Sequence, residues 1–257
     1  MTKFPHHPLS ILFQRREQRV VQKWTRSLNF AWRPLLMPHD SVLALTHCQF
    51  YPQPSYYRYN LLKRLFDIIM SGLLLIFFSP LLLIVMVLIY LNSPGPIFFP
   101  QKRVGKHGKL FVMWKFRSMS INAEQCKANL LKKNDMLEGV LFKIKNDPRI
   151  TPLGRFIRKS SIDEIPQLWN VLLGDMSLVG PRPPLPDEVE QYTSYQRQRL
   201  EITPGITCLW QISGRSEIPF PQQIEMDLHY IATQSFWTDF LILIKTVPAV
   251  LIGRGAY

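Results

Sequence analysis

Acidic residues are scarce in this chain: 18 Asp and Glu stand against 31 Lys and Arg, giving a formal charge of +13. That balance points to anionic partners. Cysteine is rarer still. Cys48, Cys126 and Cys208 are odd in number, far apart and without metal-ligand spacing, which argues against a disulfide framework and favours a reduced, cytoplasmic setting. No secretory leader is expected, because prolines and charges interrupt every short apolar stretch near the amino terminus. Internal repeats and low-complexity tracts are missing too, so no solenoid or linker-rich architecture is expected.

Against these absences stands one long apolar run. Ile68 to Leu91 contains no charged residue, and as a helix it measures roughly 36 Å, enough to cross a hydrocarbon core of about 30 Å. Nucleic-acid binders share the positive charge but seldom carry such a run; a membrane face and phosphorylated substrates suit the combination better. A simple single-pass anchor is the plain reading, and two features oppose it. Ser79-Pro80 lies mid-run, where proline removes a helix hydrogen bond at a cost of about 3 kcal/mol unless the chain bends. Both flanks are basic, with Lys63 and Arg64 before the run and Lys102, Arg103, Lys106 and Lys109 after it. Cytoplasmic flanks carry the excess of Lys and Arg, so a re-entrant helix-break-helix over 59–92 is expected, with the Ser79 hydroxyl satisfying a carbonyl freed by Pro80.

Three regions follow from this reading. Residues 1–58 form a basic, aromatic extension, either interfacial or loosely ordered. Residues 59–92 are the membrane hairpin, and 93–257 the catalytic domain. Within the last, Ile97-Phe98-Phe99 and Leu110–Trp114 read as strands around a polar loop, hence a β-hairpin. Residues 120–138 are helical in composition. Pro186–Ile202 reads as one polar helix, Ile206–Ile212 as a strand, Ser213-Gly214-Arg215 as a turn, and Phe236–Ile252 as an interfacial amphipathic segment. The expected class is α/β, in its α+β form.

The chemistry-bearing stretch is Arg158-Lys159-Ser160-Ser161-Ile162-Asp163-Glu164-Ile165-Pro166, followed by Gly180-Pro181-Arg182-Pro183-Pro184. Two adjacent carboxylates near arginines suit a phosphate diester or anhydride. One carboxylate attacks phosphorus, the other holds a divalent cation, and the arginines neutralise oxygens. A plainer account also exists, since Ser161-Ile162-Asp163-Glu164 matches a helix capping box. The two are compatible, because a helix amino terminus favours an ionised Asp163 and offers N–H groups to phosphate.

From Lys63-Arg64-Leu65-Phe66-Asp67 to Gly255-Ala256-Tyr257 the chain resembles the bacterial sugar transferases, the monotopic phosphoglycosyl transferases. The motifs are KRLFD, the Ser79-Pro80 break, SPGPIFFPQKRVGKHGK, KFRSM, KNDPRIT, GRFIRKSSIDEIPQLWNVLLGDMSLVGPRP, PGIT and LWQISGR; their joint order is specific where each alone is weak. LWQISGR and the GAY ending are most similar to the undecaprenyl-phosphate galactose phosphotransferase subgroup, of which only the catalytic unit is expected here. Two positions depart from the pattern: Cys208 where glycine is usual after PGIT, and Ser160-Ser161-Ile162 for Thr-Ser-Leu.

The resemblance implies an enzyme moving a hexose-1-phosphate from a uridine-diphosphate sugar, galactose or glucose favoured, onto undecaprenyl phosphate. This would start exopolysaccharide, capsule or O-antigen synthesis at the cytoplasmic face of a bacterial inner membrane. Asp163 takes the nucleophile's place and Glu164 the Mg²⁺-binding one. Arg158 and Arg182 bind phosphate oxygens, Lys115 and Arg117 serve that site or the lipid headgroups, and Arg215 contacts the nucleotide. Lys63 and Arg64 meet lipid phosphates where the hairpin enters. Asp147 and Asp175 either assist the metal or serve a turn and a cap. No nucleic-acid partner is expected and self-association is left open. The alternative is a membrane-anchored basic binding or scaffold protein.

Overall fold

A computed structural model describes residues 54–120, 123 and 147–252. Residues 1–53, nearly all of the expected amino-terminal extension, lie outside them, as does almost all of the helix expected over 120–138. Helices dominate, with two small sheets. The mixed class is as expected.

The apolar run forms part of one 39-residue helix, α1 (Pro54–Asn92), about 58 Å long at 1.5 Å per residue. Two separate helices were expected on either side of Ser79-Pro80; the helix instead continues through Pro80. The repair is local. A residue at 80 with an N–H would bond the Ile76 carbonyl, and Ser79 Oγ donates to that same oxygen at 2.8 Å. The proline's missing donor is thus replaced by its neighbour's hydroxyl. Through the middle of the helix Leu73, Ile76 and Phe77 are exposed. α1 is long and apolar enough to cross a membrane.

Both ends of α1 dock on the rest of the chain. Near its start Arg64 donates to the Val171 and Leu172 carbonyls, and Asp67 Oδ1 accepts the Leu178 N–H at 3.1 Å. Lys63 and Tyr59 both donate to Asp239 Oδ2, at 2.7 and 2.8 Å. Near its end Val85 and Ile89 bury against Phe116 and Ile157, and Arg117 donates to the Ser93 carbonyl.

The expected hairpin is present: β1 (Phe98–Val104) pairs antiparallel with β2 (Leu110–Phe116), Val104 opposite Leu110. α2 (Pro152–Lys159) is capped by Thr151, whose hydroxyl accepts the Gly154 N–H. α3 (Gln167–Leu173) ends at Gly174 in the left-handed region, φ 96°. Arg64 covers its final carbonyls, the place where a cation also meets the negative end of the helix dipole.

β3 (Ser177–Val179) pairs in parallel with β4 (Gly205–Thr207). The two backbones pass so closely that a Cβ on Gly205 would lie 2.1 Å from Gly180 N, and one on Gly180 2.6 Å from Thr203 O. Only glycine fits at this crossing.

The single helix expected over 186–202 is instead α4 (Pro186–Glu190), α5 (Ser194–Arg197) and a 3₁₀ turn, Gln198–Leu200. Glu188 and Gln196 reach back to the backbone N–H groups of Leu185 and Thr193, so each short helix begins with its own cap. The strand expected over 206–212 stops at Thr207, and α6 (Leu209–Ser213) follows. α7 (Phe220–Thr233) and α8 (Phe236–Ile252) complete the described residues. On α8, Thr238, Asp239 and Ile242 are buried while Trp237, Ile244, Val247, Leu251 and Ile252 are exposed. One face packs inward, and the other presents an apolar surface.

Candidate active site

Asp163 and Glu164 lie on a 3₁₀ turn, Ile162–Glu164, between α2 and α3. The capping box expected here does not form. Ser161 adopts left-handed backbone, φ 56°, and its side chain caps nothing. Glu164 is instead committed to cations: Lys115 Nζ lies 2.7 Å and Arg182 Nη2 2.9 Å from its Oε1. The adjacent Asp163, only 6% exposed, faces the same cluster.

Their environments separate the two carboxylates. Burial pushes Asp163 up to about 6, with Lys115 opposing and the Glu164 charge adding to the rise. For Glu164 burial also raises, but Arg182 and Lys115 outweigh it and hold the carboxylate well below its ordinary value. One acid is thus firmly ionised while its neighbour titrates near neutrality, a division common where carboxylates do chemistry. Arg182 in turn is held more firmly protonated by Glu164.

Three elements assemble this cluster. β2 supplies Lys115, the 3₁₀ turn supplies the carboxylates, and the loop after β3 supplies Arg182. Asn170, on α3, registers β2 against the turn: its Nδ2 donates to Val112 O at 2.7 Å, and its Oδ1 accepts Trp114 N–H at 3.0 Å. A side-chain amide thereby acts as an extra strand residue beside β2. Nothing in the sequence singled out Asn170, since its role exists only across two distant segments.

Arg158, in the last turn of α2, is half-buried and close enough for its charge to lower Asp163. Arg215 also has left-handed backbone, φ 53°, and its Nη2 reaches Ser161 Oγ at 3.4 Å. Two non-glycine residues in that region cost about 1–2 kcal/mol each, and both adjoin the carboxylate pair. Arg117 is placed elsewhere, its guanidinium bound to the Ser93 and Pro94 carbonyls. Lys63 is paired with Asp239 and Arg64 with the end of α3, so both serve docking of α1. Asp147 is engaged by Arg149 at 2.6 Å. Cys208, where glycine is usual, has φ −151°, extended backbone that any residue adopts; its buried thiol is pushed well above the ordinary range by desolvation.

Among the described residues no group of three or more His, Cys, Asp or Glu converges. Mg²⁺, however, keeps several waters and takes one or two carboxylates together with substrate phosphates. Glu164, the carboxylate held ionised between Lys115 and Arg182, would fit that mode as a single ligand and not a closed protein cage.

Asp163, Glu164, Lys115 and Arg182 thus form one cluster of two carboxylates and two cations, drawn from three separate elements. It stands on a fold whose first described helix has membrane-spanning length. Residues 58–253 match the bacterial sugar transferase family, and the chain belongs to it. It is similar, at 48% identity over 78% of its length, to galactosyl transferase CpsE of Streptococcus agalactiae, covering 45% of that protein. It is 46% identical over 76% of its length to the undecaprenyl-phosphate galactose phosphotransferase of Salmonella typhimurium, covering 42%. With exopolysaccharide production protein ExoY of Sinorhizobium fredii it shares 41% identity, over 76% of this chain and 88% of that one. The chain therefore spans less than half the length of the first two relatives.

Proposed function

We propose that the protein transfers a hexose-1-phosphate from a uridine-diphosphate sugar to a polyprenyl phosphate, undecaprenyl phosphate by analogy with its Salmonella relative. The observation that carries this reading is the split carboxylate pair. Asp163 is buried and titrates near neutrality, beside a Glu164 locked between Lys115 and Arg182.

Asp163 Oδ attacks the β-phosphorus of the donor. The bond from that phosphorus to the bridging oxygen breaks, UMP leaves, and the sugar phosphate stays on the aspartate as an acyl phosphate. An oxygen of the polyprenyl phosphate then attacks the same phosphorus and expels the carboxylate, giving polyprenyl-diphosphate sugar. Two steps let one site serve a water-borne donor and a lipid-borne acceptor in turn. No strong base is required, because the lipid phosphate is already anionic. Arg182 and Lys115 stand where phosphoryl oxygens gain charge, Arg158 adds to the positive field, and Arg215 borders the nucleotide's approach. Mg²⁺, held at Glu164, would offset diphosphate charge.

The seating of α1 supports a re-entrant placement at the cytoplasmic face of a bacterial inner membrane. Lys63 and Arg64 before the apolar run, Val85 and Ile89 in its last turns and Ser93 just after it all dock on one catalytic unit, which a straight span with its ends on opposite sides would separate. Proline at 80 is where the helix would bend within one leaflet. Cysteines placed at Arg58 and Lys102 should both resist an impermeant external reagent; labelling of either from outside refutes the topology.

The activity is tested by UMP release from a panel of uridine-diphosphate sugars with polyprenyl phosphate supplied. Wild-type protein should trap radiolabelled phosphosugar, and Asp163→Asn should not. Full turnover by that variant would remove Asp163 as nucleophile, and no UMP from any donor would remove the reading.

A further inference from the structure

We infer that Arg103 and Arg199 are positioning residues for Arg182, clamping the backbone of the Pro181–Pro184 loop from two sides. The inference rests on the proposed role of Arg182 at the substrate's phosphates and deepens it.

Three of the four residues in Pro181-Arg182-Pro183-Pro184 have no N–H, so the loop has little means of closing turns on itself. Its conformation has to be imposed through its carbonyls, and all four are taken by donors from elsewhere. Pro181 O accepts the Gly205 N–H at 2.9 Å, and Pro184 O accepts the Val104 N–H at 3.0 Å. Between them, Pro183 O accepts from Arg103 Nη1 at 2.9 Å, and Arg182 O accepts from Arg199 Nη2 at 3.3 Å. The outer two bonds are backbone contacts of β4 and β1. The inner two, which bracket Arg182, depend on side chains.

Each clamp is itself held. Arg103 directs Nε and Nη2 at Gln101 Oε1, at 3.1 and 2.8 Å. Arg199, buried, is paired with Asp227 and donates to Tyr192 Oη at 3.0 Å. A guanidinium suits the task because its planar fork grips an acceptor and a partner at once. Placing two further cations beside Arg182 has an electrostatic cost: burial and the Arg182 charge lower Arg103 to about 10. That cost is consistent with a service a neutral donor would not supply as firmly, a charge-assisted bond to the loop carbonyl. The result is that Arg182 meets Glu164 from a fixed backbone, and a planar donor fixed in angle is what phosphate recognition requires.

The test separates positioning from charge and from general stability. Gln101→Met releases Arg103 without changing any charge, and Arg199→Lys keeps the cation but loses the fork. Affinity for inorganic pyrophosphate would be measured by calorimetry with magnesium present, in the full-length protein and in an Arg182→Ala background. Thermal unfolding would be followed in parallel. Each single variant should weaken pyrophosphate binding by about tenfold, and by less than about twofold once Arg182 is absent, since a residue acting through another loses its effect with it. Equal weakening in both backgrounds overturns the inference, as does no weakening in either single variant or no binding by wild type. Should Arg199→Lys fail to fold, Gln101→Met on a partly exposed strand position decides alone. Wild type that binds pyrophosphate through Arg182 but releases no UMP sinks the transferase reading and leaves the clamp standing. UMP release with additive losses does the reverse.

Discussion

At the scale of single residues, Asp163 carries opposite consequences for turnover and for folding. Burial pushes its carboxyl up to about 6, and as the proposed nucleophile it would have to be ionised, so UMP release should fall as pH drops through 6 and level off above it. For folding the sign reverses. The native state holds the Asp163 proton more tightly than the unfolded chain, whose value is near 3.8, so this group favours folding below that value and its contribution is lost as pH rises through 6. Asp163→Asn cannot ionise, and at pH 7.5 it should be inactive yet unfold at a higher temperature than wild type; a lower Tm would contradict the sign. Lys115 is the leading influence opposing the rise. Lys115→Met should therefore move the acid limb of the pH–rate profile upward, and an unmoved limb would show that the contact is without electrostatic effect. Arg182→Lys keeps the charge but loses the fork, and should reduce kcat by about 10²-fold in the steady-state assay.

Among elements, the crossing of β3 and β4 and the docking of α1 matter most. Gly205→Ala places a methyl 2.1 Å from Gly180 N, backbone against backbone, with no flexible atom to yield. A loss of more than about 4 kcal/mol is expected, read from chemical denaturation in detergent, and it should disturb the Arg182 loop because Gly205 N holds Pro181 O. Asp239 on α8 accepts from Tyr59, Lys63 and Tyr230. Asp239→Ala leaves a largely buried lysine without its carboxylate and should cost about 3–5 kcal/mol; a change under about 1 kcal/mol would mean the start of α1 is held by packing alone. Element boundaries were legible where local chemistry governed. The β1–β2 hairpin followed from apolar runs around a polar loop. Over 186–202 polar composition implied one helix, whereas caps at Leu185 and Thr193 create two. Ser161–Glu164 fitted a capping pattern, yet the glutamate found stronger partners in Lys115 and Arg182, whose charges the local sequence does not bring near.

Over the whole molecule, the chain order of motifs was enough to indicate a membrane-proximal phosphate chemistry, and the match over residues 58–253 fixes the family. Exposed apolar residues on α1 and α8, including Ile76, Phe77, Leu251 and Ile252, give an apolar surface suited to lipid, and removing such surface from water stabilises at roughly 25 cal/mol per Å². In a flotation assay, charged substitutions at Phe77 and Leu251 together should shift protein from vesicle to soluble fraction. Retention on vesicles would place the lipid contact elsewhere.

What the sequence by itself determined were properties carried by composition and spacing: the positive charge, the apolar run, the Ser79 hydroxyl beside Pro80, and the adjacency of Asp163 to Glu164. Adjacency alone does not distinguish two carboxylates. Only the tertiary structure decided which is ionised and which titrates near neutrality, because that depends on Lys115 and Arg182 arriving from 49 and 18 residues away. It likewise withdrew Arg117, Lys63 and Arg64 into docking contacts, since a cation's role is set by the oxygen nearest to it in space.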